Sequence, residues 1–121
     1  YGASATPGKA AHEIPVFMKK EGYDIYPVNP KAQEIAGEIV FRDIMSIPDE
    51  IEILDVFRPS EECKHVAQLA AERKKAKGDI KVLWLQLGIV SPEAKKIAEE
   101  NGIEFVQDKC LKIEYNKLHR K

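Results

Sequence analysis

The chain has 121 residues, a formal net charge of −1, and is 44% hydrophobic and 32% charged. This length predicts a single domain over residues 1–121, and the composition excludes disordered, collagen-like and low-complexity chains. No apolar run reaches the ~18 residues of a membrane span, two cysteines do not make a disulfide scaffold, and no segment resembles a signal peptide. We therefore expect a cytoplasmic protein without a membrane partner.

Extended and helical patterns alternate along the chain. Short runs rich in β-branched and aromatic residues predict strands at 23–28, 51–57, 82–87 and 103–106. Apolar spacing and capping residues predict helices at about 11–21, from Ser60 onwards, from Ser91 to about 101, and at about 110–119. Pro15 is expected in or near the first turn of its helix. Residues 32–48 are irregular, with one short helical turn near 43–46.

This alternation predicts a Rossmann-like α/β fold. The expected architecture is a doubly wound parallel sheet of about five strands within three αβα layers. Tyr1 precedes the first predicted helix and is expected to be the last residue of a first strand that is largely missing from the chain. In such a sheet, ligands bind beyond the carboxyl ends of the strands, so the segment after each strand is a candidate site.

The segment Gly2–Lys9 is a small-residue turn that opens the first predicted helix. Glycine permits close backbone approach, and N–H groups at a helix N-terminus attract a phosphate. Ser4 interrupts a G-x-G-x-x-G pattern, and no G-K-[ST] follows, so neither standard nucleotide motif is present. A phosphate-binding loop and a plain strand-to-helix turn both remain open on this segment alone.

The segment Asn29-Pro30-Lys31 follows the predicted strand at 23–28. NAD-binding Rossmann domains place an Asp or Glu here to hold the ribose 2′-OH. The segment has no carboxylate, and Lys31 would attract a phosphorylated ribose. It therefore favours a nucleotide with an extra phosphate, such as NADP or coenzyme A, while a solvent-facing turn lysine is the alternative.

Five segments together resemble the small stand-alone CoA-binding proteins. The segments are residues 2–12, 22–31, 56–60, 84–89 and 107–114. The fold of that family is the CoA-binding Rossmann domain, also found in the alpha subunit of succinyl-CoA synthetase and in NDP-forming acyl-CoA synthetases. The resemblance covers essentially the whole chain.

The resemblance implies a binding site for coenzyme A or acyl-CoA, without catalytic residues and without a metal. The residues it places at the cofactor are Gly2, Ala3, Ser4, Lys9, Asn29, Pro30, Lys31, Arg58, Gln86 and Leu87. The first four match the loop that holds the CoA phosphates, and the next three match the segment that carries a CoA-contacting lysine. Arg58 matches a turn beside the nucleotide, and the last two match a segment near the pantetheine arm.

The resemblance also bears on catalysis and partners. The larger synthetases use a phosphorylatable histidine on a further domain, with an ATP-grasp partner, so this chain is expected to bind CoA without catalysis of its own. The alternatives are an NADP-binding oxidoreductase-type domain, or a subunit or fragment of an NDP-forming acyl-CoA synthetase. A homodimer or a partner protein of acyl-CoA metabolism is also compatible with the sequence.

Three other features have a less specific interpretation. Cys110 begins the last predicted helix, where a redox role is possible but a buried small side chain is favoured. His12 lies near the phosphate loop, where a surface or capping role is favoured over ligand contact. The basic residues Arg73, Lys74, Lys75 and Lys77, and the tail residues Lys117, Arg120 and Lys121, are expected to be solvated helix ends. They lack interleaved aromatics, so no nucleic acid partner is expected.

Overall fold

A computed structural model describes residues 1–119. It contains the helices α1 (Ala10–Lys20), α2 (Cys63–Lys77), α3 (Pro92–Glu100) and α4 (Leu111–His119). The strands are β1 (Glu34–Ile35), β2 (Glu38–Ile39), β3 (Ile53–Val56), β4 (Val82–Leu85) and β5 (Glu104–Val106). Short 3-10 helices lie at Ile44–Ser46 and Ser60–Glu62, the second running directly into α2. The predicted helices and the short turn near 43–46 are therefore confirmed, although Pro15 lies well inside α1 rather than in its first turn.

A parallel sheet forms the centre of the molecule. β3 pairs with β4 and β4 pairs with β5, both in parallel. Helices connect these strands, as parallel pairing requires. The predicted α/β class with a parallel sheet is thus confirmed.

The two faces of the sheet are covered differently. Leu54 and Val56 of β3, with Leu83 and Leu85 of β4, are buried in one cluster with small side chains of α2 and α3. Alanines in both helices allow them to approach each other and the sheet closely. Asp55 and Trp84 alternate with these residues and point to the opposite face.

The predicted strand at 23–28 does not form a strand ladder in the structure. Only Val28 pairs, in an isolated parallel bridge with Phe41. Strand pairing requires a neighbour along the whole segment, and here the neighbours reach only its end: Phe41 lies on one side, and Gly2 on the other donates its N–H to the Val28 carbonyl at 3.0 Å. Tyr1 in turn pairs with β3 in the parallel pattern, because its carbonyl accepts the Phe57 N–H at 2.9 Å.

A small hairpin in the segment 32–48 was missed by the sequence analysis. β1 and β2 pair antiparallel across the two-residue turn Ala36-Gly37. Both turn residues have positive φ, 55° and 78°, as a type I′ turn requires. Asn-Gly and Asp-Gly are the usual signals for this turn, and Ala-Gly is a weak one.

Arg73 is the clearest correction to the predicted charge distribution. It is fully buried in α2 instead of solvated. Its guanidinium binds the Asp79 carboxylate at 2.9 Å and the carbonyls of Ile44, Ile47 and Asp49. Burial raises the pKa of Asp79, but its hydrogen bonds with Arg73 outweigh this and hold that pKa below its ordinary value. The predicted tail residues Arg120 and Lys121 lie outside the described residues.

Among residues 1–119, no helix combines the length and the apolar character needed to cross a membrane. The same residues contain no group of three or more His, Cys, Asp or Glu side chains placed to hold a metal ion.

Candidate functional site

The segment Gly2–Lys9, which we call the α1 loop, folds back onto the helix that follows it. Pro15 has no N–H, so the carbonyl of Ala11 lacks its usual partner within the helix. That carbonyl accepts the backbone N–H of Ser4 at 2.9 Å. A proline inside α1 thus provides the acceptor that fixes the loop.

Two side chains of α1 hold the loop at further points. His12 Nδ1 lies 2.9 Å from the Ser4 carbonyl, so this nitrogen is the protonated donor in that contact. Glu13 Oε1 accepts the N–H of Gly8 at 2.9 Å. His12 therefore braces the loop against α1, a role that differs from the surface or capping role favoured by the sequence, and the carboxylate of Glu13 occupies one of the loop's N–H groups.

The beginning of α1 carries no cap from a side chain. Lys9 is the N-cap residue, with an extended backbone, and its side chain makes no capping hydrogen bond. The N–H groups of Ala10 and Ala11, the first two of the helix, donate to no acceptor in the described part of the chain. Lys9 is exposed and forms no ion pair there. An uncapped helix N-terminus beside a lysine is a favourable environment for an anion.

Gly2 and Arg58 are in direct contact. Gly2 has φ +80°, and a Cβ at this position would lie 2.8 Å from Arg58 Cδ and 3.2 Å from the Phe57 carbonyl oxygen. A side chain therefore has neither the backbone conformation nor the space to fit here. The Arg58 guanidinium is held by Glu62, with Nη2 2.7 Å from the carboxylate.

Asn29 joins the α1 loop to the segment 29–32, which we call the Asn29 turn. Its Nδ2 donates to the Ala3 carbonyl at 2.8 Å. Its Oδ1 accepts the backbone N–H groups of Lys31 at 2.8 Å and Ala32 at 2.9 Å. One side-chain amide thus places the turn that carries Pro30 and Lys31 directly beside the α1 loop.

Gln86 and Leu87 differ sharply in exposure. Gln86 is 5% exposed, and its Nε2 donates to Asp55 Oδ1 at 2.5 Å. Leu87 is 64% exposed. In this structure the Gln86 amide therefore braces β3 against β4, while Leu87 presents an apolar surface at the same edge of the sheet.

The Asp55 carboxyl has an unusual protonation equilibrium. Burial raises its pKa to about 6, against the opposing effect of the Gln86 hydrogen bond. Asp55 is therefore mostly ionised at pH 7 and largely protonated below pH 5.

Four groups of the protein satisfy the turn that precedes α3. The N–H of Gly88 donates to Asp108 Oδ1 at 2.7 Å, that of Val90 to Ser60 Oγ at 3.0 Å, and that of Ser91 to Gln107 Oε1 at 3.0 Å. Ser91 then caps the helix, since its Oγ accepts the Ala94 N–H at 3.1 Å. The predicted N-cap role of Ser91 is confirmed.

The predicted site residues therefore fall into two groups. The contacts described above join Gly2–Ser4, Arg58 and the Asn29 turn, and Lys9 lies at the end of the same loop. Gln86 and Leu87 lie one strand further along the sheet. The sequence analysis missed Arg42, whose Nη1 donates to the carbonyls of Asn29 at 2.8 Å and Ala32 at 2.6 Å. An isolated arginine in an irregular segment gave no sequence signal for this contact.

A cavity of about 360 Å³ lies between residues 22–28 and residues 50–55. Its walls are mainly apolar and include Tyr1, Ala3 and Met18. Of the predicted site residues only Ala3 lines it, so this cavity is separate from the charged groups of the α1 loop and the Asn29 turn.

The two cysteines are placed differently. Cys63 is buried at the beginning of α2, and burial raises the pKa of its thiol. Cys110 is half-buried immediately before α4, rather than fully buried as the sequence favoured.

Comparison with known protein families identifies the family of this chain. The family model described as "CoA binding domain" matches residues 1–116. This chain belongs to the CoA-binding domain family. The predicted resemblance is thus confirmed.

Two other proteins are similar to this chain over most of its length. The chain is 34% identical over 112 residues to the uncharacterized protein YneT of Bacillus subtilis, covering 93% of this chain and 79% of that protein. A hypothetical protein from Pyrococcus horikoshii has a solved structure that superposes with a TM-score of 0.89 at 32% identity, covering 97% and 79% of the two chains.

The relationship extends to part of a larger enzyme. An ADP-forming acetate–CoA ligase of Methanocaldococcus jannaschii is 28% identical over 116 residues. The match covers 93% of this chain but only 16% of the ligase. The CoA-binding domain described here thus corresponds to a small portion of that enzyme.

Proposed function

We propose that this CoA-binding domain binds coenzyme A, free or acylated, at the α1 loop and the Asn29 turn, and that it catalyses no reaction of its own. The observation that supports this proposal most directly is the uncapped N-terminus of α1. The N–H groups of Ala10 and Ala11 have no acceptor in residues 1–119, and the exposed Lys9 immediately precedes them in the chain. The pyrophosphate of the cofactor is the anion that fits this position.

The Asn29 turn supports the second half of the proposal. Asn29 fixes it against Ala3, so Lys31 lies close to any nucleotide bound on the α1 loop. A lysine here suits the 3′-phosphate of the CoA ribose, and the turn offers no carboxylate to hold an unphosphorylated ribose. The adenosine then lies over the end of residues 23–28, and the pantetheine arm runs towards Gln86 and Leu87.

Isothermal titration with CoA, dephospho-CoA, NADP and NAD tests the proposal. We expect CoA to bind most tightly, because it alone combines a pyrophosphate with a 3′-phosphate. Tighter binding of NADP than of CoA would refute it in favour of an oxidoreductase-type domain. Native mass spectrometry of the freshly purified protein adds a direct readout, since a bound CoA increases the mass of the complex.

A charge variant tests the assignment of Lys31. Lys31→Ala is expected to weaken CoA binding about tenfold and dephospho-CoA binding less than about twofold, because only CoA loses a charge-assisted contact. Lys81→Ala is the matched control, since Lys81 is also exposed but precedes β4 at the opposite edge of the sheet. Equal losses for the two ligands would show that Lys31 does not contact the 3′-phosphate.

A further inference from the structure

Arg42 lies over the Asn29 turn, and the structure fixes it there from two directions. Its neighbour Phe41 pairs with Val28 in a parallel bridge, which places residue 42 at the carboxyl edge of the sheet. Its Nη1 then donates to the carbonyls of Asn29 and Ala32, the first and last residues of the turn. The guanidinium is thereby held against the segment that carries Lys31.

These two hydrogen bonds use only one of the three guanidinium nitrogens. The Nε and Nη2 groups of Arg42 form no hydrogen bond within residues 1–119, and no carboxylate there lies within 4.0 Å of them. Arg42 is also exposed. A guanidinium presents its Nε and Nη2 groups along one edge, which binds an anion through two parallel hydrogen bonds.

Arg58 shows how the same edge is used elsewhere in this molecule. Its Nε and Nη2 both donate to the Glu62 carboxylate, at 3.3 and 2.7 Å. Arg42 has the corresponding edge directed to no acidic side chain in the described structure, although the other side of its guanidinium is anchored. An anchored arginine with an available bidentate edge is suited to a phosphate from outside the chain.

We propose that Arg42 is a second phosphate-binding residue, which receives the 3′-phosphate of the nucleotide together with Lys31. This inference rests on the proposed function and adds a specificity-determining residue to it. Arg42 provides a fixed, bidentate contact, whereas Lys31 provides a mobile point charge. The pair distinguishes ligands with a phosphorylated ribose from those without one.

The test compares ligands that differ only in this phosphate. Titrations of wild type, Arg42→Ala and Arg42→Lys use CoA against dephospho-CoA, and adenosine 3′,5′-bisphosphate against adenosine 5′-monophosphate. We expect Arg42→Ala to weaken CoA binding by about tenfold or more and dephospho-CoA binding less than about threefold. Arg42→Lys should recover only part of the loss, because an ammonium cannot make the bidentate contact.

The outcomes separate this inference from the proposed function. If wild type binds CoA but Arg42→Ala leaves its affinity unchanged, or weakens both members of each pair equally, Arg42 does not contact the 3′-phosphate and the inference is wrong. If wild type binds no CoA, the proposed function fails first. If thermal unfolding shows that Arg42→Ala does not fold, the reduced preference for CoA in Arg42→Lys decides the matter, because lysine can still donate to the two carbonyls.

Discussion

Helices α1 and α3 both begin at the carboxyl edge of the sheet, but the backbone N–H groups at their N-termini differ in whether the protein supplies acceptors for them. At α3, Ser91 caps the helix and the preceding N–H groups bind Asp108, Ser60 and Gln107. At α1, the N-cap residue is Lys9, with no capping side chain. The α3 corner of the molecule (residues 88–91) thus satisfies its N–H groups with the protein's own acceptors. At the α1 corner (residues 9–11), the N–H groups of Ala10 and Ala11 have no acceptor within residues 1–119.

Under the proposed function, this difference separates a structural corner at α3 from a binding corner at α1. A side-chain cap stabilises a helix by about 1 kcal/mol, so its absence at α1 has a cost in stability. Lysine at the N-cap adds a positive charge where the helix dipole is already positive. Both effects are unfavourable for the free protein, and a bound phosphate reverses both.

The largest expected effect, on CoA affinity, comes from giving α1 a side-chain cap like that of α3. Lys9→Asp supplies a capping carboxylate, and we expect the free energy of unfolding to rise by about 1 kcal/mol. The same carboxylate repels a phosphate, so CoA affinity should fall by about 100-fold, or about 2.7 kcal/mol. Chemical denaturation and titration measure the two quantities.

The variant Lys9→Ser separates the effect of the helix cap from the effect of the negative charge. It adds a cap without a negative charge, and should give a similar gain in stability with a smaller loss of affinity. Undiminished CoA binding by Lys9→Asp would mean that the α1 N-terminus is not the phosphate site, and that its uncapped state has no role in binding.

The contact between Asp55 and Gln86 provides a pH-dependent test. Asp55 and Gln86 join β3 to β4, and the folded protein holds the Asp55 proton more tightly than the unfolded chain does, with a pKa of about 6 against 3.8. The contribution of Asp55 to stability is therefore greatest below pH 4, and is lost as the pH rises to about 6. Asp55→Asn cannot ionise.

We expect the free energy of unfolding of Asp55→Asn to rise relative to that of wild type as the pH increases from 4 to 7. The expected gain is on the order of 1–2 kcal/mol, which is less than the full difference in pKa would give, because Asp55 is only half-buried. Urea unfolding of both proteins at pH 4, 5, 6 and 7 measures this difference. A difference that is constant across the range would show that Asp55 titrates normally.

The smallest expected effect comes from opening the α3 corner. Ser91→Ala removes the cap and should lower the free energy of unfolding by about 1 kcal/mol, since Ala94 loses its acceptor. CoA affinity should not change, because Ser91 is buried and its Oγ is already occupied by the Ala94 N–H. A clear loss of CoA binding in a folded Ser91→Ala protein would contradict the assignment of this corner as structural.

Local signals carried most of the fold prediction. Ser91-Pro92-Glu93 predicts a helix start from capping chemistry alone, and α3 begins there. Residues 23–28 have strand composition, yet pairing is a non-local property and only Val28 bridges to another segment. The hairpin of β1 and β2 escaped prediction because Ala36 adopts a positive φ that its residue type does not indicate.

For the candidate site, the positions of the segments were predictable but their contacts were not. Segment order placed Lys9, Lys31 and Arg58 at one edge of the sheet. The sequence alone could not show that Asn29 reaches Ala3, that Gln86 is buried against Asp55, or that Arg42 covers the Asn29 turn. Each of these depends on distant segments meeting in the folded chain.

The buried Arg73 has a consequence for how this sequence can vary. Its charge is balanced by Asp79, and its remaining N–H groups bind three carbonyls before β3. Replacing either residue alone strands a buried charge, a change that typically costs about 3–5 kcal/mol. We therefore expect positions 73 and 79 to change only together. A sequence without the pair also needs other donors for the carbonyls within residues 44–49.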